Sequence, residues 1–92
     1  GVIPIIPVKD SYRKVEKGES IQIDRNNLFK VQTPQCFISN DIKKAYTLSY
    51  LSTFTDDASV FEANGGKINT ILGEEKNLKI TTEKDLKIIE IL

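Results

Sequence analysis

The stretch Ile21 to Phe37, IQIDRNNLFKVQTPQCF, limits the fold of this chain more than any other. Apolar residues alternate at its start, Arg25 beside Asp24 interrupts them, and Thr33-Pro34 ends the extended run before a helical spacing begins. Alternation with period two pins the register, because a slip of one residue would turn the apolar face to water. A proline-containing loop placed directly after such a strand holds polar side chains at the edge of a sheet, a common position for binding groups. Ile21, Ile23 and Arg25 share one face, and Asn26-Asn27 offers a turn or bulge ahead of Leu28, Phe29 and Val31.

Upstream, residues 1–8 are almost all apolar and read as a strand covered on both faces. Pro4 and Pro7 cannot donate to a ladder, which puts that strand at a sheet margin. The chain then turns polar, with Lys17-Gly18-Glu19 as the tip of a hairpin. Val8 to Val15 and Ser20 to Val31 form a projecting arm, about residues 9–31, on a body made of 1–8 and 32–92. Two strands alone are marginal in water, so a second subunit is the expected cover.

Downstream the period changes. Ser39 or Asn40 is placed to cap a helix that buries Ile42, Ala45, Tyr46 and Ser49. Thr55-Asp56-Asp57 opens a second helix, which Gly65-Gly66 stops. Lys67 to Leu72 reads as a strand and Leu78-Lys79-Ile80 as a short extended piece. Thr82 to Asp85 resembles a capping box that opens a last helix on Leu86, Ile89 and Leu92. This order belongs to the α/β class, with no internal repeat.

Composition removes several functions. Thirteen basic residues balance thirteen acidic ones, so no positive field draws nucleic acid. No apolar run approaches the roughly 20 residues that span a bilayer. The lone cysteine, Cys36, has no internal partner and no signal-peptide pattern is present, so the expected setting is cytoplasmic. The sequence opens on Gly1 and contains no methionine, and the expectation is a truncated chain that starts inside a longer protein. With no histidine, imidazole bases and histidine metal sites are excluded, and one cysteine excludes a cysteine-only zinc site. Cys36 without a neighbouring histidine is read as structural rather than nucleophilic.

Small polar and singly charged groups remain near the ends of elements: Asp10, Ser11, Arg25, Thr33, Thr55, Asp56 and Lys79. Cations combined with hydroxyl donors suit a phosphate-bearing ligand, because phosphoryl chemistry needs positioning and charge neutralisation more than proton transfer. Each residue alone also has a purely structural explanation. Arg25 could pair with Asp24 or Asp10, Thr55 could cap a helix, and Lys79 could be solvated.

Taken together, PVKDSYRKV (7–15), IDRNNLFKVQTPQCF (23–37), TDDASVFEANG (55–65) and NLKITTEKDL (77–86) resemble the C-terminal half of the 2-C-methyl-D-erythritol 4-phosphate cytidylyltransferase family. The resemblance implies the C-terminal part of a Rossmann-like nucleotidyltransferase domain with a projecting β-hairpin arm. It further implies transfer of a cytidylyl group from CTP to the phosphate of methylerythritol phosphate in isoprenoid biosynthesis by the non-mevalonate pathway, with release of pyrophosphate and Mg²⁺ assistance. By resemblance, Arg25 and Lys79 position the substrate, while Asp10, Ser11, Thr33, Thr55 and Asp56 line its site. Ser11 stands where the family pattern has threonine, and it keeps the hydroxyl. The resemblance also implies that the arm reaches across a homodimer, so that Asp10, Ser11 and Arg25 would serve the partner's site while Thr33, Thr55 and Lys79 would serve their own.

The family's glycine-rich phosphate loop and cytidine-binding residues have no counterpart here, and Mg²⁺ is expected mainly on the nucleotide and on that other part. A ribitol phosphate cytidylyltransferase, which shares the TPQ turn, is the alternative enzyme, and a non-catalytic dimerisation module is the alternative outside catalysis. The 92 residues alone are expected to show no turnover. Purified and supplied with CTP, Mg²⁺ and methylerythritol phosphate, they should release no pyrophosphate above background, and measurable release refutes the reading.

Overall fold

The computed structural model describes residues 1–91. Eight elements follow in order: β1 (Val2–Pro7), β2 (Tyr12–Glu16), β3 (Glu19–Ile23), β4 (Phe29–Val31), α1 (Ser39–Ala45), α2 (Asp57–Ala63), β5 (Asn69–Leu72) and α3 (Glu83–Ile91). Leu92, assigned to the last helix by its spacing, lies outside the described residues. The α/β class stands.

Two sheets form. One has the order β4-β1-β5 and the other is the β2-β3 hairpin. β1 is therefore the central strand, which corrects its expected place at a margin. It runs antiparallel to β4, with Ile5 opposite Val31, and parallel to β5, with Ile5 also opposite Leu72. Proline removes one donor but leaves its carbonyl. Pro4 accepts from the Gln32 N–H at 2.9 Å and lacks only the return bond, so a narrow sheet accommodates it.

The hairpin turns on two residues. Lys17 (φ 48°) and Gly18 (φ 79°) are both left-handed, as a type I′ connection between right-twisted strands requires. Five residue pairs run from Tyr12–Ile23 to Glu16–Glu19. Arg13 fastens one face by donating to Ser20 Oγ at 2.6 Å. Phe29–Val31 pairs with β1 instead of the hairpin, so the projecting part is shorter than the 9–31 read from sequence. The switch is made by a turn in which Asp24 Oδ1 accepts from Asn26 N at 2.9 Å and Arg25 O accepts from Leu28 N at 3.1 Å. With this arm extended, the radius of gyration is 15.9 Å, above the roughly 12 Å of a compact domain of this length.

The core is small: Ile3, Ile6 and Val8 around β1, Ala45 of α1, and Ala58, Val60 and Phe61 of α2. Phe61 packs its ring against Phe37 at 5.0 Å between centroids. Glycines end α2 as expected. Gly65 (φ 84°) lets its own N–H reach Glu62 O at 2.9 Å while the Gly66 N–H reaches Phe61 O at 3.0 Å, a Schellman ending.

Other local expectations fail. The cap of α1 is Ile38, with no side-chain hydrogen bond, rather than Ser39 or Asn40. The helix stops after Ala45, leaving Ser49 beyond it and Tyr46 exposed. Leu78-Lys79-Ile80 joins no strand. The Thr82–Asp85 box does form: Asp85 accepts from the Thr82 N–H at 3.2 Å, and Thr82 Oγ1 accepts from the Asp85 N–H at 3.3 Å.

Bonds from the Thr81 backbone and hydroxyl, and then from Thr82, hold the Asp85 carboxyl below its ordinary value of 3.8. A depressed carboxyl stabilises the folded chain above the unfolded pKa, and this contribution is lost as pH falls through the lower folded value. The start of α3 should therefore loosen on acidification below about pH 4. In Asp85→Asn that acid dependence should vanish from the amide shifts of residues 81–86, and its persistence would contradict the assignment.

Candidate functional site

The central position of β1 creates the site. Between the Ile5–Val31 pair and the bridge of Val2 with Cys36, three steps along β1 face five along the neighbouring segment. Two residues must therefore be pushed out of the ladder, and the cis Thr33-Pro34 unit occupies that bulge. Cys36 resumes pairing, its N–H and carbonyl both bonded to Val2 at 2.9 and 2.8 Å.

A cleft of about 430 Å³ opens beside the bulge, lined by Lys30, Gln32, Thr33, Gln35, Thr55, Asp56, Glu75, Asn77 and Lys79 among others. Four of the sequence candidates, Thr33, Thr55, Asp56 and Lys79, are thus brought together from separate segments of the chain. The remaining candidates lie elsewhere. Ser11 and Arg25 share a second cleft of about 400 Å³ at the base of the arm with Gln22, Ile23, Asp24 and Asn26. Asp10 is exposed and lines neither.

Each side chain is held for a local reason. Asp56 caps α2, its Oδ1 accepting from Ser59 N at 2.9 Å while Ser59 Oγ accepts from Asp56 N at 3.2 Å. Gln35 joins this cap to the bulge: its Nε2 donates to Asp56 Oδ2 at 3.1 Å and its Oε1 accepts from Ala58 N at 3.1 Å. Tyr46 donates its hydroxyl to Asp57, a bond that raises the phenol pKa and ties α1 to the start of α2. Thr33 gives its carbonyl to Asn77 Nδ2 at 2.6 Å, which joins the bulge to the loop carrying Lys79. Gln32, Gln35 and Asn77 were not among the sequence candidates. Their only signal in the sequence is that glutamines flank Thr33-Pro34, and apart from a 3.4 Å bond from Gln35 Nε2 to Gln32 O, the partners they bond lie 21 to 45 residues away.

The cations differ in how far they are compensated. Arg25 donates to the carbonyl of Lys9 rather than to Asp24 or Asp10. The ion pairs among the described residues are Lys9–Glu75 and Lys14–Glu16. Lys9 lowers the carboxyl pKa of Glu75, first by its hydrogen bond and then by its charge. Arg25 and Lys79, like Lys30 on the wall of the body cleft, take part in neither pair and keep charge that an anion can use.

A divalent metal fits these residues poorly. The carboxylates of the body cleft are engaged, Asp56 with Ser59 and Gln35 and Glu75 with Lys9. Among the described residues no group of three or more acidic, histidine or cysteine side chains is arranged around a cation.

An α/β sheet with helices, a hairpin arm, and a cleft that brings Lys79 beside Thr33 and Thr55 have the form of part of a nucleotidyltransferase domain. The chain belongs to the 2-C-methyl-D-erythritol 4-phosphate cytidylyltransferase family, whose model matches residues 1–92. The enzyme of that name from Phocaeicola vulgatus is 45% identical over 91 residues, covering 99% of this chain and 42% of the relative. The relative from Bacteroides fragilis is 42% identical with the same coverage. The crystal structure of the Thermus thermophilus enzyme superposes with a TM-score of 0.77 at 28% identity, over 98% of this chain and 46% of that one. A 4-diphosphocytidyl-2C-methyl-D-erythritol synthase structure gives 0.79 at 33% identity, over 99% of this chain and 42% of that one. The chain thus spans less than half the length of the relatives it matches.

Gln35→Ala removes the acceptor of the Ala58 N–H and one partner of Asp56 together. The expected loss is about 1–2 kcal/mol, read as a lower denaturant midpoint. An unchanged midpoint would show that the cap stands without Gln35.

Proposed function

We propose that the protein carrying this chain transfers a cytidylyl group from CTP to 2-C-methyl-D-erythritol 4-phosphate. A phosphate oxygen of the sugar phosphate attacks the α-phosphorus, forming a new P–O–P link as the bond to the β-phosphate breaks and pyrophosphate leaves. Reaction in line between two anions requires that both be aligned and their charge offset, and it asks for little proton transfer. The observation that carries this reading is the body cleft, which Lys79, Thr33 and Thr55 line together in a chain of this family. Lys79 would offset the attacking phosphate, and the threonine hydroxyls would donate to its oxygens. Mg²⁺ would travel with the nucleotide and with residues outside this chain. The names borne by the matched relatives favour methylerythritol phosphate over ribitol phosphate as the acceptor.

The arm supplies the second half of the proposal. Tyr12, Ile21 and Ile23 stand on one face of the hairpin and are all exposed, and a two-stranded ribbon with such a face gains by packing on another protein surface. We place that face against a second subunit, which would carry Arg25, with Asp10 and Ser11 beside it, toward the partner's cleft. The cytoplasm is the setting we propose, where an exposed lone thiol such as Cys36 stays reduced.

In the complete protein, Arg25→Ala and Lys79→Ala should each lower kcat/KM by about a hundredfold with little change in melting temperature. Mixing the two variants and allowing subunits to exchange tests the division between subunits. A mixed dimer has one site with Arg25 and Lys79 both intact, so roughly a quarter of wild-type sites should return. Full activity in both single variants would sink the functional reading. Impaired variants that do not complement would sink only the sharing across the dimer.

A further inference from the structure

We infer that Gln32 is a positioning residue for the proposed reaction, acting through Lys79, an inference that rests on the phosphate-binding role proposed for that lysine. Gln32 stands on the β4 side of β1, one residue past the Ile5–Val31 pair, and its N–H is bonded to Pro4 O. Its side chain reaches the opposite flank of β1, where the chain leaves β5. There the carboxamide uses both ends. Oε1 accepts from Glu74 N at 3.1 Å, and Nε2 donates to Glu74 O at 2.7 Å and to Asn77 O at 3.3 Å. Asn77 returns a bond to the Thr33 carbonyl at 2.6 Å.

The consequence is a closed polar clip. Both residues bonded by the carboxamide belong to the loop that leads, two positions beyond Asn77, to Lys79. Leu78 to Ile80 joins no strand, so no ladder fixes that cation. Nothing else among the described hydrogen bonds ties Glu74 to Asn77 to the Thr33 bulge, apart from the Asn77 bond itself. A primary amide suits the task because it offers a donor and an acceptor to the same residue's backbone, which a carboxylate or hydroxyl cannot do with fixed polarity.

A second observation points the same way. A Cβ added at Gly73 would overlap Gln32 Oε1 and come within 3.3 Å of Pro4 Cβ. Gly73 is outside the left-handed region, so its lack of a side chain is not required by its backbone. The space above it is filled by the carboxamide. Gly73→Ala is therefore a clean way to dislodge the clip, because the group that must yield is the end of a flexible side chain.

The test uses the complete enzyme in four forms: Gln32→Ala, Gly73→Ala, Lys79→Ala and the Gln32→Ala/Lys79→Ala double variant. Gln32→Ala and Gly73→Ala should each raise KM for methylerythritol phosphate about tenfold while KM for CTP stays within about twofold, since a misplaced cation affects only the anion it holds. Added to Lys79→Ala, Gln32→Ala should cost nothing more, as expected of two residues acting in series. Wild-type KM values in Gln32→Ala and Gly73→Ala alongside a defective Lys79→Ala overturn the positioning role and leave the proposed function standing. Equal rises in both KM values, or additive losses in the double variant, overturn it as well, because they mark a structural defect independent of Lys79. Normal kinetics in Lys79→Ala remove the role of the lysine and this inference with it.

Discussion

Backbone pairing along both edges of β1 is the constraint on which the rest depends. On one edge it meets β4 and the Cys36 bridge, and on the other β5. A single strand thereby brings residues 29–36 and 69–73 to opposite sides of the same few peptides. The bulge at Thr33-Pro34 exists because the two pairings on the first edge are out of step by two residues. Had the ladder continued in register, Thr33 would point with the period of a strand and the cleft would lose one wall.

Local chemistry made much of this legible. The Lys17-Gly18 turn, the acidic cap at Asp56, the glycine ending of α2 and the Thr82–Asp85 box each involve residues within about five positions, and each forms. Pairing between distant segments was not legible in the same way. The prolines of β1 suggested a margin because a missing donor is visible in sequence, whereas the neighbours that tolerate its absence lie at Gln32 and Ile71. For the same reason Phe29–Val31 looked like arm. Its alternation fits either sheet, and only the turn at Asp24–Asn27 decides which.

Of the site, sequence exposed the ionisable and hydroxyl groups and concealed what holds them. Thr33, Thr55, Asp56 and Lys79 do line one cleft. Gln32, Gln35 and Asn77 carry no charge and no pattern, and their value comes only from partners that folding brings near. The limited core has a related cause. Leu72 at 80% exposure and Ile91 at 85% are as apolar as the buried residues of β1, yet within the described residues nothing packs on them. Burial is a property of neighbours, and no spacing rule supplies those.

Charge compensation then sets Lys9 and Lys14 apart from Arg25 and from the two lysines that line the body cleft, Lys30 and Lys79. Lys9 and Lys14 each face a carboxylate. An incoming phosphate at either would have to displace that partner, and it would gain only the difference between two similar interactions. Arg25 faces a neutral carbonyl, which orients the guanidinium without cancelling it. Its fork has further N–H groups to offer, and bidentate contact with a phosphate needs two of them in parallel. Lys79 is a point charge on a flexible stem, with no fork to define direction, so its direction has to come from the backbone that carries it. The Gln32 clip would supply that direction on the lysine side of the proposed site, whereas Arg25 has the Asp24–Leu28 turn beneath it and the Lys9 carbonyl beside it.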